Sequence, residues 1–375
     1  DPTCGSGHFL LGAFDRLFRE WQKRGIDENP VKTVQRVLDA VNGVDINPFA
    51  VAIARFRLIV AALRDCGLHR LKEAPGWKVN AAVGDSLLHG SHWDRSGNKI
   101  AEQRFLADEW APEIYSCEDT EAMAQILGQQ YHAVVGNPPY ISPRDGAVAK
   151  EYRKRHTTCY EQYHLSTPFT ERFFDLALCG GQSTTRAGWV GAITDNAFMK
   201  RDFGIKLIEI FFPQVDLTHV IDTSGAYIPG HGTPTVILFG RNRGPTSGVV
   251  RAALGIKGEP GTPSDPAQGY VWRSILSHIE CVDSEDDFMS VRDVPRSVLA
   301  KHPWSIGGGG AAELKLKLDE GRELLAPKVA SIGFYQDTHG DEAFVHPKRF
   351  PQRLGFGYGV RPPVRGDEGR DWHHS

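Results

Sequence analysis

The chain has 375 residues, enough for about two domains at roughly 150 residues each. Its 41% hydrophobic and 24% charged residues, with 40 Gly and 23 Pro, describe a loop-rich globular protein and exclude a disordered one. Lys+Arg 43 against Asp+Glu 46 excludes a global basic field that would announce nucleic acid, although a local basic cleft stays compatible with DNA. Six scattered Cys without a CxxC pair argue against a zinc module or disulfide scaffold and fit a reducing cytoplasm, and no run of 18 apolar residues spans a membrane.

In chain order, the first two-thirds alternates short β-like runs with helix-like segments, the pattern of an α/β protein with a mostly parallel sheet. Gly5–Gly7 is a tight turn, followed by Phe9, Leu10, Ala13, Phe14, Leu17, Phe18 and Trp21 at helical spacing. Val41–Asp45 is a short strand ending in an acid, and Pro48 opens a helix to about Arg64. Val79–Val83 is another strand, ending near Asp85. An insert at about 88–130 follows; its Ala101–Tyr131 part holds seven acids against the single base Arg104 and reads as a solvated helical flap. His132–Gly136 is a strand running into Asn137-Pro138-Pro139-Tyr140. Trp189–Thr194, Leu217–Ile221 and Thr235–Phe239 complete the strands, with helices around Leu165–Cys179 and Asp202–Phe211. Residues 244–269, rich in Gly, Pro and Ser, read as a linker, so the expected division is 1–243, linker, and 270–375.

The chain opens at Asp1 directly on its glycine turn, with no initiator Met or signal-like segment, and reads as a piece of something longer. A strand should feed such a turn and would lie centrally in a doubly wound sheet, so the sheet is expected to lack a central strand.

Three strand ends and one turn carry chemistry. The glycines of Asp1-Pro2-Thr3-Cys4-Gly5-Ser6-Gly7 let backbone approach a ligand at a helix start, although a lone Gly-x-Gly also suits a plain βα turn. Asp45 is placed to accept from two ribose hydroxyls or to cap the next helix. The 40-residue gap from Gly5 to Asp45 is longer than the roughly 20 of a dinucleotide fingerprint, which weakens an NAD reading. Asp85 offers a carboxylate to an exocyclic amine, or caps a turn. Asn137-Pro138-Pro139-Tyr140 is the sharpest signal: two prolines remove donors and fix φ, leaving the Asn137 amide oxygen and the Pro138 carbonyl to accept the two N–H of a planar amine. Tyr140 gives that base a face to stack on. Lys150 and Arg153, in the basic stretch Lys150–His156, either meet phosphates beside the base or belong to a solvated helix.

The series Asp-Pro-x-Cys-Gly-Ser-Gly, Val-Asp-Ile-Asn-Pro, Gly-Asp-Ser-Leu and Asn-Pro-Pro-Tyr, in this order, resembles the amino-methyltransferases that make N6-methyladenine in DNA, in their gamma-type motif order. Gly225-Ala226-Tyr227-Ile228-Pro229-Gly230-His231-Gly232-Thr233-Pro234 resembles more narrowly the PglX methyltransferases of BREX and phage-growth-limitation systems. Ile332-Gly333-Phe334 and Asp341-Glu342-Ala343-Phe344-Val345 resemble their lead into target recognition. The resemblance implies a Rossmann-like class I sheet without its first strand, S-adenosylmethionine as cofactor, no metal, double-stranded DNA and other phage-defence proteins as partners, and a cytoplasmic location. It implies that Asp1, Gly5 and Gly7 hold the methionine part of the cofactor, Asp45 its ribose, and Ile46 and Asp85 its adenine. Asn137, Pro138, Pro139 and Tyr140 would hold the target adenine, with Tyr227, or Ile228 beside it, on the far side; Phe198 reads as core.

A duplex adenine must first leave the stack, after which methyl transfer proceeds in line with no covalent enzyme intermediate and no general base beforehand. Cys4 is therefore not a nucleophile. Two rivals stay open: the same turn can present an RNA guanine or a protein glutamine amide, and the chain can be an inert DNA-binding specificity fragment.

Overall fold

The computed structural model describes residues 1–25, 29–94, 97–103, 117–180, 186–230, 232–305 and 307–308, with isolated positions beyond. It divides into two units, Asp1–Lys317 and Leu318–Ser375. In the second, a two-residue pairing of Gly369–Arg370 with His373–His374 is described. The motifs at 332–334 and 341–345 lie outside the described residues, as does His231.

Helix α1 (His8–Lys23) starts where Gly7 takes a φ of 85° and buries Leu10, Phe14 and Phe18. Helix α2 (Pro30–Ala40) has no counterpart in the sequence reading. Its signals are the Asn29 cap on Val31 N, Pro30 at the first turn, and Thr33, Val34, Val37 and Leu38 buried on one face. Strand β1 (Asn42–Asp45) leads into α3 (Pro48–Asp65), capped by Asn47, and β1 pairs in parallel with β2 (Asn80–Val83), from Asn42↔Asn80 to Asp45↔Val83.

The acidic insert is not a free flap where it is described. It holds an antiparallel hairpin, β3 (Gly90–Trp93) and β4 (Lys99–Gln103), then α4 (Thr120–Leu127), which buries Met123, Ile126 and Leu127. Two of its acids work inside the fold: Asp119 caps α4 at Ala122 N, and Glu118 accepts from Asp85 N. Residues 104–116 lie outside the described residues.

The second half is a seven-stranded sheet ordered β10-β11-β9-β7-β8-β6-β5. Its members are β5 (Ala133–Gly136), β6 (Trp189–Asp195), β7 (Asp216–Asp222), β8 (Thr235–Arg241), β9 (Val249–Gly255), β10 (Ser284–Glu285) and β11 (Met289–Pro295). Helices α5 (Gly146–Arg155) and α6 (Ser166–Leu176) connect β5 to β6, which run parallel. The expected common direction is kept by β5, β6, β7 and β9, and is broken by β8, antiparallel to both β6 and β7, and by β11, antiparallel to β9. No crossover helix separates β7 from β8, and a parallel pair would need one. The helix expected at Asp202–Phe211 is a 3-10 turn, Asp202–Gly204, then π winding over Lys206–Phe211 that buries Leu207, Ile208 and Phe211.

The linker and the boundary at 243 also need correction. Residues 244–269 contain β9, an inner strand with Val250, Ala252, Ala253 and Leu254 buried. Helix α7 (Tyr270–His278) then packs Val271 and Ile275 against Ile221, Ala253, Met289 and Val291 of this sheet. The Gly, Pro and Ser of 244–248 and 256–269 lie in the connections flanking that strand and mask it in the sequence.

Among the described residues the strand partner of β1 is β2 and that of β5 is β6, and the other edge of β1 is hydrogen-bonded by the segment Asp1–Cys4. A groove of about 680 Å³ lies between β1 and β5, lined by Val41 and Asn42 on one side, Ala133 and Val135 on the other, and Phe9 and Leu17 of α1.

Candidate functional site

Strand direction gathers the predicted residues at one edge. β5 and β6 are parallel, and Asp195↔Thr235 with Asp222↔Val236 puts the carboxyl ends of β6 and β7 level. Residues 137–145, 196–204 and 223–234 therefore leave the sheet on the same side. The glycine turn joins them at Gly136, where an added Cβ would lie 2.6 Å from Asp1 Oδ1, 2.8 Å from the Phe173 ring and 2.9 Å from Thr3 Oγ1. Gly136 is the residue the sequence reading missed; its signal was only its place before Asn137.

The segment before α1 is tied to β1 by backbone. Val44 N donates to Asp1 O at 3.0 Å, and Cys4 N to Val44 O at 2.9 Å. Asp45 Oδ2 accepts from Gly5 N and Oδ1 from Asn47 N, both at 2.9 Å. Asp45 is not the cap of α3, which Asn47 provides; its carboxylate instead closes the turn before the helix and ties the glycine turn to β1, and its oxygens keep further lone pairs. Gly7 packs so close to α3 that a Cβ would meet the Ala54 Cβ at 2.9 Å. Asp1 Oδ1 accepts from Thr3 N and Thr3 Oγ1, while Oδ2 is buried with no hydrogen-bond partner among the described residues. That orphaned acceptor beside the turn suits the ammonium group of an amino-acid cofactor, so the residues present fit S-adenosylmethionine. Burial, and then the Asp45 carboxylate, push the Cys4 thiol up to about 12, so it stays neutral and is no nucleophile.

Ile46 stands open at this edge, 51% exposed, as a platform for a flat ring would. Asp85 does not stand open. It is 4% exposed; Oδ1 accepts from Leu87 N at 2.9 Å and closes a turn, and Oδ2 accepts the Tyr152 hydroxyl at 2.5 Å. Burial pushes its carboxyl above the ordinary range. Tyr152 was not singled out in the sequence, because a Tyr within a basic helix carries no motif.

At the catalytic turn, Asn137 is exposed, Pro138 is buried and Pro139 exposed. Asn137 Oδ1 accepts the Tyr140 hydroxyl, which also reaches Ile193 O at 3.3 Å. Burial, with the Asp195 charge nearby, pushes the Tyr140 hydroxyl up and keeps it a donor. Ile141 O accepts from Leu165 N at 2.8 Å, pinning the turn to the start of α6. Next to it Asp195 accepts from His164 Nδ1 at 2.8 Å and Ser166 Oγ at 2.7 Å. Burial alone would raise Asp195, but these hydrogen bonds outweigh it and hold the carboxyl below the ordinary range.

Tyr227 and Ile228 are half-buried in the β7–β8 loop. Tyr227 O accepts from Trp272 Nε1 at 3.2 Å, and Ser224 Oγ accepts from Asn196 Nδ2 at 3.0 Å, tying the loop to the end of β6. Phe198 is fully buried, as expected of core. On α5, Lys154 and Arg155 turn onto Glu151, while Lys150 and Arg153 are exposed; Arg153 donates to Glu161 O and lies 5.0 Å above the Tyr163 ring.

Residues 39–228 match the Eco57I restriction-modification methylase family, just over half of the chain. The chain belongs to this family. The matched span of the Eco57I-type methylase includes Asp45, Ile46, Asp85, Asn137–Tyr140 and Tyr227, and leaves the glycine turn outside. The chain is 44% identical over 381 residues to the adenine-specific methyltransferase PglX of Streptomyces coelicolor, covering 99% of this chain and 31% of that protein. It is 24% identical over 351 residues to the type II methyltransferase M.PaeR7I of Pseudomonas aeruginosa, covering 92% and 51%. It thus spans about a third of the first relative and half of the second. Among solved structures, the M protein of type I restriction enzyme EcoKI is similar at 12% identity and a TM-score of 0.43, over 76% of this chain and 49% of that one.

Proposed function

We propose that this chain is the catalytic core of a DNA adenine-N6 methyltransferase that uses S-adenosylmethionine, acts in the cytoplasm and marks host DNA in a phage-defence system. The observation that carries this is the Asn137–Tyr140 turn at the end of β5, whose exposed amide abuts the glycine turn through Gly136. Family membership and the PglX likeness support the adenine substrate. In this reading the β1-β2 pair and the β5-side sheet are the two flanks of one Rossmann-like sheet.

The division of labour follows from the chemistry of the groups. Asp1 Oδ2 accepts from the cofactor's ammonium, Asp45 from its ribose, Ile46 packs on its adenine, and Asp85 receives the adenine amine. When bound, the cofactor supplies a methyl group on a positively charged sulfur. Asn137 Oδ1 and the Pro138 carbonyl accept the two N–H of the target adenine, which aims its nitrogen lone pair outward and stabilises the charge that develops there. To do so Asn137 releases the Tyr140 hydroxyl, and the Tyr140 ring stacks on the base, worth about 1–3 kcal/mol. Tyr227 closes the far side, and Lys150 and Arg153 meet the flanking phosphates.

The test uses the full-length protein, S-adenosylmethionine and unmethylated duplex DNA, with digestion to nucleosides and mass spectrometry. N6-methyladenine is expected, and Asn137→Ala should lower the rate by roughly a thousandfold, the upper range for losing one preorganised polar group, while cofactor affinity stays within a few-fold. Equal rates in the two proteins would remove the catalytic assignment. Methyl groups found on RNA guanine or protein glutamine, and none on DNA, would replace the substrate.

A further inference from the structure

The Asp85 carboxylate is enclosed in a way its cofactor role has to undo: it is 4% exposed and each oxygen already holds a donor. Leu87 N, on one oxygen, belongs to the turn that Asp85 itself closes, and Glu118 holds Asp85 N from the other side at 3.1 Å. The remaining donor, the Tyr152 hydroxyl on Oδ2, comes from a side chain on another element. Tyr152 is 6% exposed and looks inward from α5, the helix that follows the catalytic turn and carries Lys150 and Arg153 on its exposed side. A second contact binds the end of α5 to the same loop, His156 Nε2 to Leu87 O at 3.0 Å. A group 4% exposed cannot take a new donor unless a neighbour moves, and the backbone donor is fixed.

We propose that Tyr152 is a positioning residue that couples the two half-sites: its hydroxyl holds Asp85 Oδ2 until the cofactor's adenine amine takes that oxygen, and the exchange resets α5 together with its DNA-facing side. This rests on the reading of Asp85 given above. No covalent bond changes and no proton leaves; one neutral donor replaces another on a carboxylate. Linkage then requires that the cofactor alter DNA affinity by the same factor as DNA alters cofactor affinity.

The experiment titrates the full-length protein with S-adenosylhomocysteine by calorimetry, with and without a duplex oligonucleotide. In the unmutated protein the duplex should shift the dissociation constant by at least about fivefold. Tyr152→Phe keeps the ring and removes the competing donor. It should bind S-adenosylhomocysteine roughly tenfold tighter, and the effect of the duplex should shrink to within about twofold. A Tyr merely filling the core would leave both quantities unchanged, and that result overturns the proposal. An independent readout needs no variant: S-adenosylhomocysteine should change amide hydrogen exchange across residues 146–155, and unchanged exchange there overturns the proposal equally. Failure of the unmutated protein to bind S-adenosylhomocysteine at all is a different result; it removes the cofactor reading itself, and the inference with it.

Discussion

The two halves of the site are built on opposite plans. On the proposed cofactor side, Asp45 takes two backbone amides and Asp85 one amide and one hydroxyl, while Asp1 Oδ2 has no partner among the described residues. On the target side, Asn137 is exposed, and among the described residues its amide oxygen takes one donor, the hydroxyl of Tyr140 three residues on. In the proposed reading the first half is held mostly by its own backbone, with one side-chain donor, the Tyr152 hydroxyl, to be exchanged. The second presents a reactive group that has to exchange its partner before it can work. The cofactor leaves after each transfer as the base does, so the difference lies in what has to move: a side chain of another element on one side, the turn's own Tyr140 on the other.

Gly136 is where the plans meet, and altering it should have the largest effect. Gly136→Ala puts a methyl group 2.6 Å from Asp1 Oδ1 and 2.8 Å from the Phe173 ring, contacts that neither the turn nor a fully buried ring can relieve cheaply. A loss of about 1–3 kcal/mol in stability is expected from such overpacking. Methyl transfer should fall further than stability alone explains, because both half-sites shift. Thermal melting and initial rates measure the two effects; if neither changes, the halves are not in contact.

A smaller effect separates the halves by pH. His156 is buried just beyond α5, and burial holds its imidazole down to about 3, with the Leu87 carbonyl opposing and the charges of Arg172 and His92 adding to the depression. A group held below its unfolded value contributes stability that is complete above about pH 6.5 and is lost as pH falls toward 3. By pH 5 the loss from this residue is about 2 kcal/mol. His156→Gln should therefore show a flatter decline in melting temperature between pH 7 and 5 than the unmutated protein. Parallel declines would mean that His156 is not the group being charged.

How far the sequence carried depended on the physics of each element. The glycine turn, β1, α3 and the Asn137–Tyr140 turn were legible because they rest on local rules: positive φ at glycine, proline at a first helical turn, an apolar run ending in a polar group. β9 was not, since its seven residues are flanked by turn-rich segments and its burial comes from β7 and β11, far away in sequence. The same holds for the site. Asp45 and Asn137 sit in recognisable words, whereas Tyr152 and Gly136 matter through contacts with residues 67 and 135 positions away. The antiparallel course of β8 was hidden for a related reason, because strand direction depends on which neighbours are chosen.

The finest test asks what Asp45 is for, since its two roles share one side chain. Asp45→Ala removes the tie to Gly5 N and the turn closed at Asn47 N together with any acceptor for a ribose. Its stability loss should resemble that of a lost cap, about 1 kcal/mol. Asp45→Asn separates the roles: its amide oxygen can still accept from Asn47 N, but its NH2 group replaces the carboxylate oxygen that faces Gly5 N. If Asp45 also binds the cofactor, calorimetry should find affinity reduced roughly tenfold in the Ala protein, the scale of one hydrogen bond to a charged group. The Asn protein should lose nearly as much affinity while recovering most of the stability. Equal affinity in all three proteins, with the Ala protein alone melting early, would leave Asp45 as the tie between the glycine turn and β1 and leave the cofactor half held by the glycine turn and Asp1.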